Sequence, residues 1–248
     1  AYTYMEQILQ IFIFTVITML ALLLFHFRKA YGVLIPLGGV LVSTIWGLGI
    51  ISLLGYNLDP LGLVIPFLIA ARAMSHGVQL VERYYAETRE LGSGPKAAKA
   101  TFDSLFRPGS LGVVSDAIGL SLIAIGSIPL NTHLGIYASL WAITVVFTVL
   151  IGVPLLLSIL PTPKDPNLRE TALRHIGASC SRTVARPGAA KVVLSVAALA
   201  MAAGLLAASN VQIGDSEPGS PILYPDHDYN VSSRVVNERF PGSEELYI

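Results

Sequence analysis

Six stretches of this chain are each long and apolar enough to cross a lipid bilayer, and that limits what it can fold into. A spanning helix needs about 20 mostly apolar residues, because each residue rises about 1.5 Å through a hydrocarbon layer about 30 Å thick. The stretches are Ile8–Phe27, Val33–Leu54, Leu61–Val81, Gly109–Ile128, Leu134–Leu160 and Ala190–Ala208. Polar, glycine or proline residues bound each of them. Composition agrees: 53% of the 248 residues are hydrophobic, 13% are charged and the mean hydropathy is +0.65. A soluble domain carries about 25% charge. A soluble enzyme, a nucleic-acid binder and a disordered chain are therefore excluded. The net charge is zero, so no global field draws in DNA or anionic lipid. Cys180 is the single cysteine, which permits neither an internal disulfide nor a thiolate metal cluster. No nucleophile elbow, phosphate loop or metal-ligand set is present, so no enzyme activity, cofactor or metal is expected.

The basic residues orient the spans. Arg28 and Lys29 follow the first span. Arg83, Arg89, Lys96, Lys99 and Arg107 lie between the third and fourth, and Lys164, Arg169, Arg174, Arg182, Arg186 and Lys191 between the fifth and sixth. Thus 13 of the 16 lysines and arginines fall on one side, and the two short opposite loops carry none. The positive-inside rule puts these residues in the cytoplasm and both chain ends outside.

Two segments outside the spans read as folded. Gly94–Phe106 places Pro95 at a first helical position and gathers Ala98, Phe102, Leu105 and Phe106 on one side. It is expected as a short helix, residues 95–106, lying on the cytoplasmic surface. After Ala208 a strand is expected to start at Val211–Ile213, with turns at Gly219, Pro221 and Pro225. An amphipathic helix is then expected over Asp228–Arg239, with Val231, Val235 and Val236 as its buried stripe. Forty residues seldom make a stable core alone, so this tail reads as the start of a domain outside the membrane. The chain is expected to be a piece of a longer protein.

Ionisable residues inside spans are costly and usually functional. Arg72 and His76 lie in the third span and Asp116 in the fourth. Arg72, Ser75 and His76 stand at i, i+3 and i+4 and share one helix face. Counting the helical rise from the flanking basic residues puts His76 about 10 Å, Asp116 about 13 Å and Arg72 about 16 Å from the cytoplasmic end. Consecutive antiparallel spans then let Asp116 pair with either cation. Two roles fit: a proton-responsive site, since histidine titrates near neutral pH, or a fixed ion pair that locks two helices. Asp226, His227 and Asp228 read as a solvated turn, since consecutive residues rarely converge on one metal ion. Asn230-Val231-Ser232 spells a glycosylation acceptor, a pattern common by chance.

The order of these pieces resembles the resistance–nodulation–division (RND) superfamily of exporters, in its MMPL-like and hopanoid-lipid branches. Four stretches carry the resemblance: Gly55-Tyr-Asn-Leu-Asp-Pro60 leading into Ile65-Pro-Phe-Leu68; Ser75-His-Gly-Val-Gln79; Arg107-Pro-Gly-Ser110 with Ser115-Asp-Ala-Ile-Gly119; and the tail with Pro221, Tyr229, Asn230 and Phe240-Pro-Gly-Ser243. The resemblance implies an all-α polytopic membrane protein with six transmembrane helices and the start of an α+β periplasmic domain. Residues 1–160 would hold a five-helix, sterol-sensing-domain-like bundle, 161–189 a cytoplasmic linker, 190–208 the sixth span and 209–248 the start of a porter-like domain.

The implied activity is export of lipids or other hydrophobic molecules, driven by the proton motive force across a bacterial inner membrane. The implied partners are membrane lipids, hydrophobic cargo, the rest of the same transporter, and a homo-oligomer or larger membrane complex, with no nucleic acid. Such exporters commonly carry an aspartate where Ser75 stands here. Proton coupling would then fall to His76 and Asp116, with Arg72 and Ser75 beside them. The alternative is a non-pumping sterol-sensing-like or scaffolding subunit.

Overall fold

The structure, a computed structural model, describes residues 2–57, 62–126, 128–163, 177–182, 186–211, 219–220, 223–224 and 226–240. The chain divides into two compact units, Ala1–Ala172 and Leu173–Ile248.

The first unit is helical throughout its described elements. They are α1 (Tyr2–Phe27), α2 (Ala30–Leu53), α3 (Val64–Leu91), α4 (Gly94–Leu122) and α5 (Pro129–Val145). A π-helical stretch, Val146–Ile151, joins α5 to α6 (Gly152–Ile159). Helices α2, α3, α4 and α5 form a closed ring of neighbours, and α1 packs on the outside of α2. The largest fully buried side chains of the core are aromatic: Trp141, Tyr84, Tyr85, Tyr137 and Phe27. Gly47 makes this possible on α2. A Cβ there would overlap the Trp141 indole, so the ring can lie on the α2 backbone only because the residue is glycine.

Helix lengths depart from the sequence reading at the basic end. Helix α3 runs to Leu91, about ten residues past the expected span, and ends where Gly92 adopts φ 63°. That left-handed cap suits glycine, which lacks the Cβ that penalises it. The segment expected as a separate surface helix, 95–106, is instead the first half of α4, continuous with the fourth span. Pro108 removes one backbone donor from this helix. Spanning helices tolerate this when a neighbour supports the segment. Here the buried Gly109 lets the Leu150 side chain pack directly against the α4 backbone. Phe102 and Phe106 stack at 4.6 Å, with Phe106 and Leu105 packed on the core. The single fifth span also proves compound. Pro154 offers no N–H to the carbonyl four residues back, and the π-helical stretch lies just before it.

The connections at the basic end converge. The Tyr31 hydroxyl donates to the Pro161 carbonyl (2.7 Å), and the Gly94 N–H donates to Thr162 Oγ1 (3.1 Å). The α1–α2 junction, the α3–α4 turn and the end of α6 therefore meet. Tyr56 stacks on His133 at 4.3 Å, which joins the connection after α2 to the start of α5.

In the second unit α7 (Pro187–Ala208) is apolar on all sides and exposed from Lys191 to Ala208. A helix hydrophobic all round suits lipid. Helix α8 (Asp228–Arg239) begins at an N-cap, His227, whose Nδ1 accepts from the Tyr229 N–H (3.2 Å). Its expected buried stripe is not buried: Val231, Val235 and Val236 are exposed. The buried residue is Asn230. Its side chain accepts from the Ser220 N–H and donates to the carbonyls of Ser220, Leu223 and Tyr224. The expected strand at 211–213 falls mostly outside the described residues, as do the turns at Pro221 and Pro225.

Candidate functional site

The site grows out of the α3–α4 hairpin. Gly92 and Ser93 make a tight turn, so residues equally far from it stand at the same level on the two antiparallel helices. Arg72 lies 20 residues before Gly92, and Asp116 lies 22 after Gly94. They meet: Arg72 Nε is 2.5 Å from Asp116 Oδ2. Gly112, one turn before Asp116, lies beside the Arg72 guanidinium. A Cβ there would already touch the guanidinium, 3.7 Å from Arg72 Nη2. The pair is roughly half exposed, with side-chain accessibilities of 46% and 37%.

That exposure opens onto a cavity of about 430 Å³ between α3, α4 and α5. Leu68, Ile69, Val113, Leu120, Ala142 and Val145 line it, and the ion pair supplies its charge. Mostly apolar walls with a few convergent polar groups are typical of ligand and cofactor pockets.

The two other expected residues sit apart from the pair's direct contact. His76, one turn beyond Arg72, is half buried and within electrostatic range of both Arg72 and Asp116. Its Nε2 is enclosed and has no hydrogen-bond partner among the described residues. Ser75 is exposed, and its hydroxyl accepts from Gln79 Nε2 at 3.4 Å.

Sequence reasoning missed a second polar link between helices. His26 Nε2 on α1 meets Glu82 Oε1 on α3 at 2.5 Å. The available signal was the spacing of Glu82, three residues past Gln79 and seven past Ser75, which keeps it on the same helix face. Near this link Lys29 lies 5.5 Å from the Tyr85 ring centroid, and Arg83 pairs with Glu87. Inside the ring Ser43 and Thr144 share a buried hydrogen bond of 3.2 Å between α2 and α5. No cluster of three or more histidine, cysteine or carboxylate side chains suited to a metal occurs among the described residues.

No family model matches the chain. Over 122 residues it is 29% identical to a protein of Methanocaldococcus jannaschii that bears the name "Putative membrane protein MJ1562". The match covers 48% of this chain and 31% of that relative, so the chain corresponds to about a third of the relative's length. Six described helices are long and apolar enough to span a bilayer. This is a multi-pass helical membrane protein.

Proposed function

We propose that this chain is the central part of an RND-type exporter of lipids or other hydrophobic molecules, driven by the proton motive force. It lies in the cytoplasmic membrane with both ends of the chain outside, and the segment after α7 opens a porter-like α+β domain. The observation that carries this reading is the Arg72–Asp116 pair on adjacent spanning helices at the wall of an apolar cavity. Charges inside a membrane are retained against a substantial cost, and ion and proton pathways are where they recur.

The chemistry is a proton exchanged at one carboxylate. With Asp116 ionised, the pair holds α3 and α4 together. When a proton binds Asp116, its charge is lost and Arg72 is left without a counter-ion. The two helices then settle into a different packing, and loss of the proton to the other side restores the pair. His76 lies within electrostatic range of both charges and is assigned the relay, while Ser75 offers a hydroxyl for water beside Arg72. Each charge that crosses the field contributes about 2.3 kcal/mol per 100 mV.

The test is transport of a fluorescent phospholipid by the full-length protein in proteoliposomes under an imposed pH gradient. Asp116→Asn and His76→Ala are expected to abolish gradient-driven transport while the proteins still fold. Full transport by Asp116→Asn rules the mechanism out. One observation favours a second reading. The pair is already neutral as a unit, and no acidic residue stands at Ser75. A fixed lock in a sterol-sensing-like or scaffolding subunit has the same geometry, and it predicts no dependence on the gradient.

A further inference from the structure

One face of α3 carries polar side chains along much of its length. Arg72, Ser75, Gln79 and Glu82 stand at i, i+3, i+7 and i+10, which is a single seam on a helix. The seam is not packed away. Ser75 and Gln79 are exposed, and the Arg72 and Glu82 side chains are 46% and 44% accessible. Neighbouring groups along it touch: Arg72 with Asp116 and Gln79 with Ser75. His26, from α1, closes the seam at Glu82. From Arg72 to Glu82 it rises about 15 Å. Beside its Glu82 end stand Arg28 and Lys29 at the α1–α2 junction and the Arg83–Glu87 pair on α3.

Such a seam does not face hydrocarbon cheaply. Polar and ionisable groups in spans turn toward water-filled cavities or partners. Next to it α1 shares no close backbone approach with α3. The two helices meet through side chains: Phe12 against Phe67 (6.5 Å), and His26 with Glu82. With no close backbone approach there, and with the seam's own side chains exposed, this face has room for a file of water.

We propose that this face of α3 is a hydrated track joining the basic end of the bundle to Asp116, with the His26–Glu82 pair as its mouth. It rests on the reading that Asp116 exchanges a proton, and it assigns the side to which that proton is released. Water held by Gln79 and Ser75 links Glu82 to the ion pair. His26 and Glu82 each have a group that can bind a proton, so they can take one from the file and hand it to water at the basic end.

Thiol reactivity tests it in the full-length protein, in membranes, with Cys180→Ser and one cysteine introduced at a time. The probe is a small membrane-impermeant methanethiosulfonate, which reacts with thiolate in water. Added from the basic side, it is expected to label Ser75→Cys and Gln79→Cys. It is not expected to label Ile118→Cys, which is exposed on α4 near the level of Asp116. Replacing His26 and Glu82 with leucine is expected to lower labelling at both positions to the level of position 118, whereas glutamine at both sites preserves it. Positions 75 and 79 as unreactive as 118, or reactive from the opposite side alone, would overturn the track. Labelling reads water rather than transport. An unreactive seam with gradient-driven transport intact removes the track alone. A reactive seam with transport indifferent to Asp116→Asn removes the exporter reading alone.

Discussion

Arg72 Nε and Asp116 Oδ2 stand 2.5 Å apart across the α3–α4 hairpin, the one ion pair among the described residues that links those two helices. Its partners are far apart in sequence but level in space, because the Gly92–Ser93 turn sets the register. The strength of this link can be measured. In a double-mutant cycle of Arg72→Ala and Asp116→Ala, followed by thermal unfolding in detergent, the coupling is expected to be favourable by about 0.5–3 kcal/mol, the range for residues in direct contact. Each single variant should lose more stability than its share of the double variant. Additive losses would show that the two charges do not interact.

Gly47 and Trp141 make a second test, independent of charge. Gly47→Leu forces a side chain into the space of the indole. Overpacking of this kind costs about 1–3 kcal/mol. A lowered Tm is expected, with part of the loss recovered when Trp141→Ala is added. An unchanged Tm for the single variant would contradict the α2–α5 packing.

The membrane orientation is testable by the same thiol chemistry. In a Cys180→Ser background, an impermeant reagent added from outside is expected to reach Asn131→Cys and miss Lys96→Cys. The reverse pattern would invert the topology.

Asn230 gives a prediction of the opposite kind to its motif. Its residue accessibility is 6%, and its amide group serves four backbone partners in the loop before α8. A glycan on Nδ2 would replace one of its two hydrogens, so the three carbonyls could no longer all be served. Expression in a glycosylating host is expected to give no glycosidase-sensitive mass shift at this residue. Asn230→Ala should raise amide exchange at 219–224.

The legibility of the sequence follows from these cases. The spans were legible because hydrocarbon requires about 20 apolar residues in a row, and six helices of that kind are present. Arg72 and Asp116 stood out because a charge in such a run is conspicuous. The continuity of α4 through Pro108 was not legible. It depends on support from Leu150, some forty residues away in sequence. The His26–Glu82 link was hidden for a related reason. Polar residues at the ends of spans are ordinary, and only the packing of α1 brings these two together. Around Asn230 the expectation was reversed: the valine stripe promised a buried face, whereas the loop buries the polar residue to satisfy its own backbone.

The central claim is that Asp116 takes up and releases a proton as the protein works, and infrared difference spectroscopy measures that directly. Full-length protein in lipid is switched between high and low pH, and the carboxylic-acid carbonyl band is recorded with and without Asp116→Asn. The account predicts a band that appears on acidification and is missing from the Asp116→Asn protein. A spectrum identical in the two proteins would contradict it.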